Sequence, residues 1–252
     1  MSSEEFESKV VLKDSEILRD ALKVVSSISD EAPIKVSKDS VILRTLDLSE
    51  VSMIDIVIPS QSFEEYEVKN ENAYVIKVED ALKLLKHATK NPIALTFQQN
   101  KLLAEIRSSP PRKFSLSVFQ SEKKDLPLPK VSYKISFKTE LDIIKEVVEV
   151  GKGRSDRIEF ETKNGKVKIS TKSEDMVYEV ELSPEDGTLK EPNIEEEGSA
   201  KYDIGRIYQF ISSFKPLSDV SINFGKDLPL KITGEIWEGI PLNYFLAALV
   251  EE

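Results

Sequence analysis

One pattern, an amphipathic helix followed by two short strands, occurs four times along the 252 residues and constrains the fold more than any other feature. In each helix, apolar residues recur at spacings of three and four. The first and third units begin about 125 residues apart, as do the second and fourth, and this is a typical domain size. The predicted helices are Ser15–Ile28, Glu79–Thr89, Leu141–Val150 and Ile204–Phe214.

The two strands of each unit are joined by a short polar turn, which favours antiparallel sheets. Asn164-Gly165 is the clearest turn, because this dipeptide is typical of tight hairpins. Asp14 or Ser15 is predicted to cap the first helix and Thr139 the third. The predicted fold class is therefore α+β, with two similar domains of duplicated helix-plus-antiparallel-hairpin units. The predicted strand pairs are Ile34–Ser37 with Val41–Leu46, Ile93–Phe97 with Lys101–Arg107, Arg157–Thr162 with Val167–Thr171, and Val220–Phe224 with Leu230–Ile236.

The segment Ser121–Lys130, which reads SEKKDLPLPK, marks the predicted boundary between the two halves. Proline lacks an amide donor and fixes φ, so this segment is neither a helix nor a central strand. The predicted organisation is an N-terminal domain at 1–120, a connector at 121–132 and a C-terminal domain at 133–252. An ordinary linker is one interpretation. Two leucines alternating with prolines favour the other, a strip on which a partner docks.

Catalytic constellations are not found in the sequence. There is no cysteine, and His87 is the one histidine, which we interpret as a surface or groove residue. The run Gly151–Ser155 lacks the spacing of a phosphate-binding loop. No apolar run reaches the roughly 18–20 residues of a membrane span, and the acidic N-terminus is not a targeting signal. We therefore expect an intracellular protein that is not an enzyme and has no cofactor or metal.

Basic residues are grouped on two of the predicted helices. Arg19 and Lys23 are four residues apart, and Lys83, Lys86 and Lys90 share one helix face. Their spacing is compatible with a solvated face or with an anion-binding face. The formal net charge of −10 does not decide between these, because binding depends on where the cations lie.

The segment Val41–Val68 reads VILRTLDLSEVSMIDIVIPSQSFEEYEV. Two apolar strands flank the polar turn Asp47–Glu50, and Phe63-Glu64-Glu65-Tyr66 follows after Pro59. This order resembles the PCNA (proliferating cell nuclear antigen) family of DNA polymerase sliding clamps. In that family an LD-x-S-x-V turn precedes an apolar strand, then IP, then F-x-E-Y. The resemblance extends through the connector to Asn243–Ala247 near the C-terminus.

The resemblance implies a ring subunit in which helices line the hole and sheets lie outside. Such a ring encircles double-stranded DNA, is opened by a clamp loader and tethers polymerase, ligase and flap-nuclease clients. It implies a cytoplasmic, nucleoid-associated protein (nuclear in a eukaryotic source). A homotrimer, a heterotrimer (as in some archaea), a checkpoint-type ring and an interaction scaffold without a DNA role stay open. The residues implied to face DNA are Arg19, Lys23, Lys83, Lys86, Lys90, Lys145 and Arg206.

Two further sets of residues are implied by the resemblance. Ala248 and Leu249 replace a proline and a basic residue of the family pattern, which affects the shape of the client pocket. The client-peptide pocket is implied to consist of Leu46, Val51, Met53, Leu126, Leu128, Pro129, Pro229, Phe245, Leu246 and Ala247. The subunit interface is implied to consist of two edge strands, Arg112–Val118 and Met176–Leu182, with Lys113, Phe114, Leu116, Val118, Val177, Tyr178 and Val180.

Overall fold

The computed structural model of the chain describes residues 6–86, 90–120 and 126–250. His87, the end of the second predicted helix and residues 121–125 of the predicted connector lie outside the described residues. The first half contains β1 (Ser8–Leu12), α1 (Ser15–Val25), β2 (Glu31–Val36), β3 (Ser40–Leu46), β4 (Ser52–Pro59), β5 (Phe63–Val68), β6 (Asn72–Lys77), α2 (Val78–Leu85), β7 (Ile93–Phe97), β8 (Lys101–Ile106), β9 (Arg112–Ser117) and β10 (Phe119–Gln120). The second half contains β11 (Ile135–Thr139), α3 (Leu141–Gly151), β12 (Arg157–Lys163), β13 (Lys166–Lys172), β14 (Val177–Leu182), β15 (Lys190–Ile194), β16 (Ser199–Asp203), α4 (Ile204–Ser213), β17 (Val220–Phe224), β18 (Leu230–Trp237) and β19 (Ile240–Leu246).

The strand pairings repeat between the two halves. In the first half β1 pairs with β5 and β7, β2 pairs with β3 and β6, and β7 pairs with β8. In the second half β11 pairs with β15 and β17, β12 pairs with β13 and β16, and β17 pairs with β18. All of these pairs are antiparallel, so the predicted duplicated α+β fold is confirmed.

The described chain divides into two compact units, and neither is a single continuous segment. The first consists of Met1–Leu48, Ile54–Pro127 and Ile236–Leu242, and the remaining residues form the second. Within the first unit the strands follow the orders β5-β1-β7-β8-β9 and β10-β6-β2-β3-β4. In the second half they follow β14-β13-β12-β16 and β19-β18-β17-β11-β15. The predicted boundaries at 120 and 133 stay a prediction.

The helix termini are set by side chains close to them in sequence. Asp14 caps α1 as predicted, because its carboxylate accepts a hydrogen bond from the amide of Glu16 at 2.8 Å. The helix ends at Val25, three residues before the predicted end. Ser26 and Ser27 donate their hydroxyls to carbonyls three residues earlier, and such local bonds compete with helix continuation.

The predicted cap of the third helix is wrong. Thr139 is the last residue of β11, where it is fully buried, and α3 begins after Glu140, whose side chain makes no capping bond. Strand alternation determines the position of Thr139, because Ile135, Phe137 and Thr139 all point to the buried face. A cap prediction from residue type alone does not include this constraint.

Two strands, β5 and β15, could not be predicted from the sequence pattern. The strand β5 is rich in glutamate and only Phe63 is buried, while β15 contains Pro192 and no buried residue. Both are edge strands in the orders given above, where charged residues and proline are tolerated. The tight turn at Asn164-Gly165 is as predicted, with φ of 51° and 74° at the two residues.

Gly151, the last residue of α3, is required by close packing. A Cβ atom at this position would lie 2.6 Å from Ile204 Cδ1 and 2.6 Å from Thr171 Oγ1. The Thr171 hydroxyl is held in place because it donates to the carbonyl of Arg157 at 3.1 Å. The second helix of this half, α4, begins at Ile204, so Gly151 sets how closely α3 approaches it.

We expect Gly151→Ala to destabilise the fold by about 1–3 kcal/mol, because overpacking displaces Ile204 and Thr171. Urea unfolding followed by circular dichroism measures the loss. Gly198→Ala is the matched control, since its added Cβ would lie 3.5 Å from Ile135, an ordinary contact. Equal stability of the two variants would contradict the packing role of Gly151.

Candidate functional site

The predicted cations of α1 are paired with carboxylates of the same helix. Arg19 donates from Nη1 to Glu16 at 2.8 Å and from Nε to Asp20 at 3.0 Å. The ammonium of Lys23 lies 3.7 Å from the carboxylate of Asp20. The outer face of α1 therefore carries two cations and two carboxylates, and its net charge is close to zero.

The positive charge on and after helix α2 is only partly neutralised by carboxylates. Lys83 lies 2.6 Å from Glu79, and this hydrogen bond lowers the pKa of the Glu79 carboxyl and raises the pKa of the Lys83 ammonium. Lys86 and Lys90 follow the last helical residue, Leu85, so Lys90 does not extend the predicted basic helix face. Both are exposed, and no ion pair joins either of them to another described residue. Within the described chain, these two lysines are the predicted cations that are most available to an external anion.

The helix α3 presents an acidic outer face. Lys145 is the one predicted cation on it, 4.0 Å from Glu149. Asp142 and Glu146 are exposed on the same helix. Glu146 also accepts a short hydrogen bond from the hydroxyl of Tyr178, and this bond raises the pKa of that tyrosine.

Arg206 on α4 is directed toward the turn after β3. Its guanidinium donates to the hydroxyl of Ser49 at 3.3 Å and to that of Ser52 at 3.4 Å. Asp203 caps α4 by accepting the amide of Arg206 at 2.9 Å, which fixes the first turn of the helix. Arg206 therefore links α4 to the turn Ser49–Met53 within the second unit.

The two predicted interface strands are both edges. In the order β5-β1-β7-β8-β9, β9 is bonded to β8 alone among the described strands, and β14 is likewise bonded to β13 alone. On β9, Phe114 and Leu116 are half-buried and alternate with exposed Lys113. Val118 departs from the prediction, because it lies after the strand and is buried at 2% exposure.

The edge strand β14 has the same alternation with the opposite charge. Tyr178 and Val180 are half-buried, whereas Val177, Glu179 and Glu181 are exposed. One edge, with Arg112 and Lys113, is thus basic and the other, with Glu179 and Glu181, is acidic, and each has an apolar row beside its charges. These charges are partly offset within each sheet, because Lys113 lies 3.6 Å from Glu105 and Glu181 lies 2.6 Å from Lys166.

Most of the predicted client residues belong to the second unit. The amide of Ala247 donates to the carbonyl of Val51 at 2.8 Å, so the C-terminal segment is fixed to the turn before β4. Ala247, Leu128 and Pro129 are exposed. Pro229 is half-buried and follows a turn that is held by a hydrogen bond from the Tyr202 hydroxyl to the Leu228 carbonyl at 2.9 Å.

Three of the predicted client residues are buried in the core. Phe245 and Met53 are each 6% exposed and Leu246 is 1% exposed. Their side chains support the surface from beneath and are not free to contact a ligand in this conformation. The sequence pattern of the family identifies the segment but does not separate its exposed members from its buried ones.

The remaining two predicted client residues belong to the first unit. Leu46 is the half-buried last residue of β3. Leu126 is half-buried, and its carbonyl accepts a hydrogen bond from Arg44 Nη1 at 2.7 Å. Arg44 also donates from Nε to Asp55 at 2.8 Å. The role of Arg44 was not predicted from the sequence, because nothing in the spacing of Arg44 and Asp55 indicates a bond to the connector.

Residues 6–105 match the family model described as "Proliferating cell nuclear antigen, N-terminal domain". A curated relative, the "DNA polymerase sliding clamp" of Thermofilum pendens, is 26% identical over 245 residues, which cover 96% of this chain and 99% of the relative. Along nearly its whole length the chain is therefore similar to the PCNA-type sliding clamps. Sliding clamps are non-catalytic processivity factors, so the missing catalytic constellation is expected of this family.

Two solved clamp structures have the same fold. A PCNA2–PCNA3 complex from Sulfolobus tokodaii matches with a TM-score of 0.85 and 26% identity, over 96% of this chain and 100% of that chain. A structure of the C-terminal region of FEN-1 bound to A. fulgidus PCNA matches with a TM-score of 0.85 and 17% identity, over 97% of this chain and 99% of that chain. In the described part of the chain, none of the helices has the length and apolar character that a membrane span requires.

Proposed function

We propose that this chain is one subunit of a ring that encircles duplex DNA and tethers polymerase, ligase and nuclease clients as a processivity factor in replication and repair. The basic edge β9 and the acidic edge β14 carry the proposal. Two complementary, non-identical edges on one chain form a head-to-tail contact, and such contacts close into rings when the rotation allows. The acting compartment would be the DNA-containing interior of the cell.

The DNA contact of this subunit would be weak and independent of sequence. Its proposed cations reach phosphates and not base edges, so they carry no sequence information. Compensation of Arg19, Lys23 and Lys83 by neighbouring carboxylates reduces the number of counterions released on binding. A ring that moves along DNA requires such a contact, since tight binding at one position would stop it.

No catalytic step is assigned to the chain. Within residues 6–86, 90–120 and 126–250, no group of three or more His, Cys, Asp or Glu side chains has an arrangement that would hold a metal ion. Opening of the ring would be performed by a separate clamp loader that uses ATP. Clients would bind the exposed residues of the second unit, with Leu128, Pro129 and Ala247 in contact and Phe245 in support.

Light scattering on the purified chain is the first test of the ring. A mass of about 85 kDa, three times the 28.5 kDa of one chain, is expected of a ring made of this chain alone. A mass of 28.5 kDa would mean that the chain either requires sister subunits or is not a clamp, and a pull-down for partners then separates these outcomes. Failure to stimulate a polymerase on primed circular DNA, with loader and sister subunits present, would favour a scaffold without a DNA role.

We expect Lys113→Glu to weaken subunit assembly, because it places like charges opposite the glutamates of β14. The dissociation constant should rise roughly fivefold, the effect of one like-charge pair across strands. Combining Lys113→Glu with Glu179→Lys should restore assembly, since every head-to-tail contact then contains both reversed charges. Sedimentation of the assembled ring measures this, and a double variant that is weaker than both single variants would contradict the pairing of these edges.

We expect Lys83→Gln and Asp20→Asn to change DNA binding in opposite directions. Lys83→Gln removes a cation and should reduce the slope of log affinity against log salt by about 0.9 per lost phosphate contact. Asp20→Asn frees Lys23 and removes one of the two carboxylate partners of Arg19, which keeps its bond to Glu16, so it should steepen the same slope. Glu161→Gln is the control, because this carboxylate pairs with Lys168 on the neighbouring strand β13. Identical slopes for all three variants would exclude α1 and α2 from the DNA contact.

We expect Leu128→Ala to weaken client-peptide binding without loss of stability, because this side chain is 38% exposed. Removing its buried contact with a peptide costs about 1–3 kcal/mol, or roughly 5- to 150-fold in affinity. Calorimetry with a flap-nuclease C-terminal peptide measures the change. Leu103→Ala, at a site with 36% exposure on β8, is the matched control. Equal affinity of both variants would remove Leu128 from the client site.

A further inference from the structure

The described part of the connector is almost without hydrogen bonds. Residues 126–133 form neither helix nor strand, and four consecutive residues from Pro127 to Lys130 are exposed. Among the described residues, the bond from Arg44 Nη1 to the Leu126 carbonyl, at 2.7 Å, is the one hydrogen bond that this segment makes. A segment with few bonds and little burial would be expected to sample many conformations.

Arg44 is held rigidly where it makes this bond. It lies in the middle of β3, and its Nε donates to Asp55 of β4 at 2.8 Å. The Asp55 side chain is 2% exposed and that of Arg44 is 22% exposed, so the pair is screened from water. A guanidinium is planar and presents its donors in a fixed fork, so orienting Nε toward Asp55 also orients Nη1 toward Leu126.

We propose that Arg44, oriented by Asp55, is a positioning residue that fixes the connector at Leu126 and thereby sets where Leu128 and Pro129 are presented to a client peptide. This inference rests on the proposed function, because it takes the connector as part of the client site. The bond is made to a main-chain carbonyl, so the anchor fixes the path of the chain whatever side chains the connector carries. Leu128 follows the anchored residue by two positions, within reach of its influence.

The anchor matters for affinity because it removes disorder before the client arrives. An unanchored connector would have to be ordered when the peptide binds, and the entropy cost would reduce affinity without any lost contact. A charge-assisted hydrogen bond in a screened position is strong enough to bias the connector toward one conformation. Arg44 and Asp55 would therefore influence client binding although neither is assigned a contact with the peptide.

The test uses two variants of the full chain in its assembled state. Arg44→Lys keeps a cation beside Asp55 but lacks the fork, so it preserves the charge of the pair while weakening the bond to Leu126. The double variant Arg44→Met/Asp55→Leu removes both charges together and leaves no unpaired buried charge, which single removal would create. Thermal unfolding of both variants establishes that the fold is retained, and the variant that folds is used if the other does not.

Trypsin cleavage after Lys130 measures the freedom of the connector without any client. We expect cleavage to be about tenfold faster in the variants, the effect of losing one charge-assisted hydrogen bond. Cleavage after Lys152, at an exposed site beyond α3, is the internal control and should not change. An unchanged rate at Lys130 in a folded variant would overturn the anchor.

Calorimetry with a flap-nuclease C-terminal peptide measures the second part of the proposal. We expect a loss of affinity that is about as large as the gain in cleavage rate, with a less favourable binding entropy and little change in enthalpy. A faster cleavage with unchanged peptide affinity would overturn the positioning role. If the wild-type chain itself binds no peptide, the proposed client function fails, whereas the cleavage rates still decide whether the anchor exists.

Discussion

The structure depends on the repeated packing of one amphipathic helix against antiparallel strands whose buried residues alternate. Fully buried residues such as Leu22 on α1, Leu43 on β3 and Phe160 on β12 show this layering in both halves. This packing leaves little space at Gly151, because even a methyl group there would contact Ile204 and Thr171. Once these layers are formed, each sheet is left with two edge strands, and the charges on the edges β9 and β14 are carried by residues that no core position requires.

Ion pairs on the helices then reduce the positive charge that these helices can present to DNA. The chain is strongly acidic, and the cations on α1 are offset by carboxylates one turn away. Partly exposed ion pairs at the surface add little stability, so their main effect is on the electrostatic field that an approaching polyanion encounters. The acidic face of α3, with Glu146 and Glu149 beside Lys145, extends this effect to the second half.

Much of the fold could be predicted because its units are local. The helices, the hairpins and the Asn164-Gly165 turn depend on residues within about 15 positions of one another. The edge strands β5 and β15 could not be predicted, since pairing with a distant neighbour, and not their composition, makes them strands. In the candidate site, the family pattern located the segments. It did not show that Phe245 is buried or that Arg44 reaches Leu126, because both depend on tertiary contacts.

The edge strands β9 and β14 also affect how a newly made chain behaves before it assembles. Each newly made subunit carries an acidic and a basic edge whose main-chain groups are bonded on one side only within the described residues. Such edges are templates for pairing with whatever strand is nearby, including misdirected copies that extend into open filaments. In a ring that requires sister subunits, production of this chain would have to keep pace with theirs, because an excess of unpaired edges is a hazard to solubility. Opposite charges at the two edges would direct the first encounter toward the correct pair.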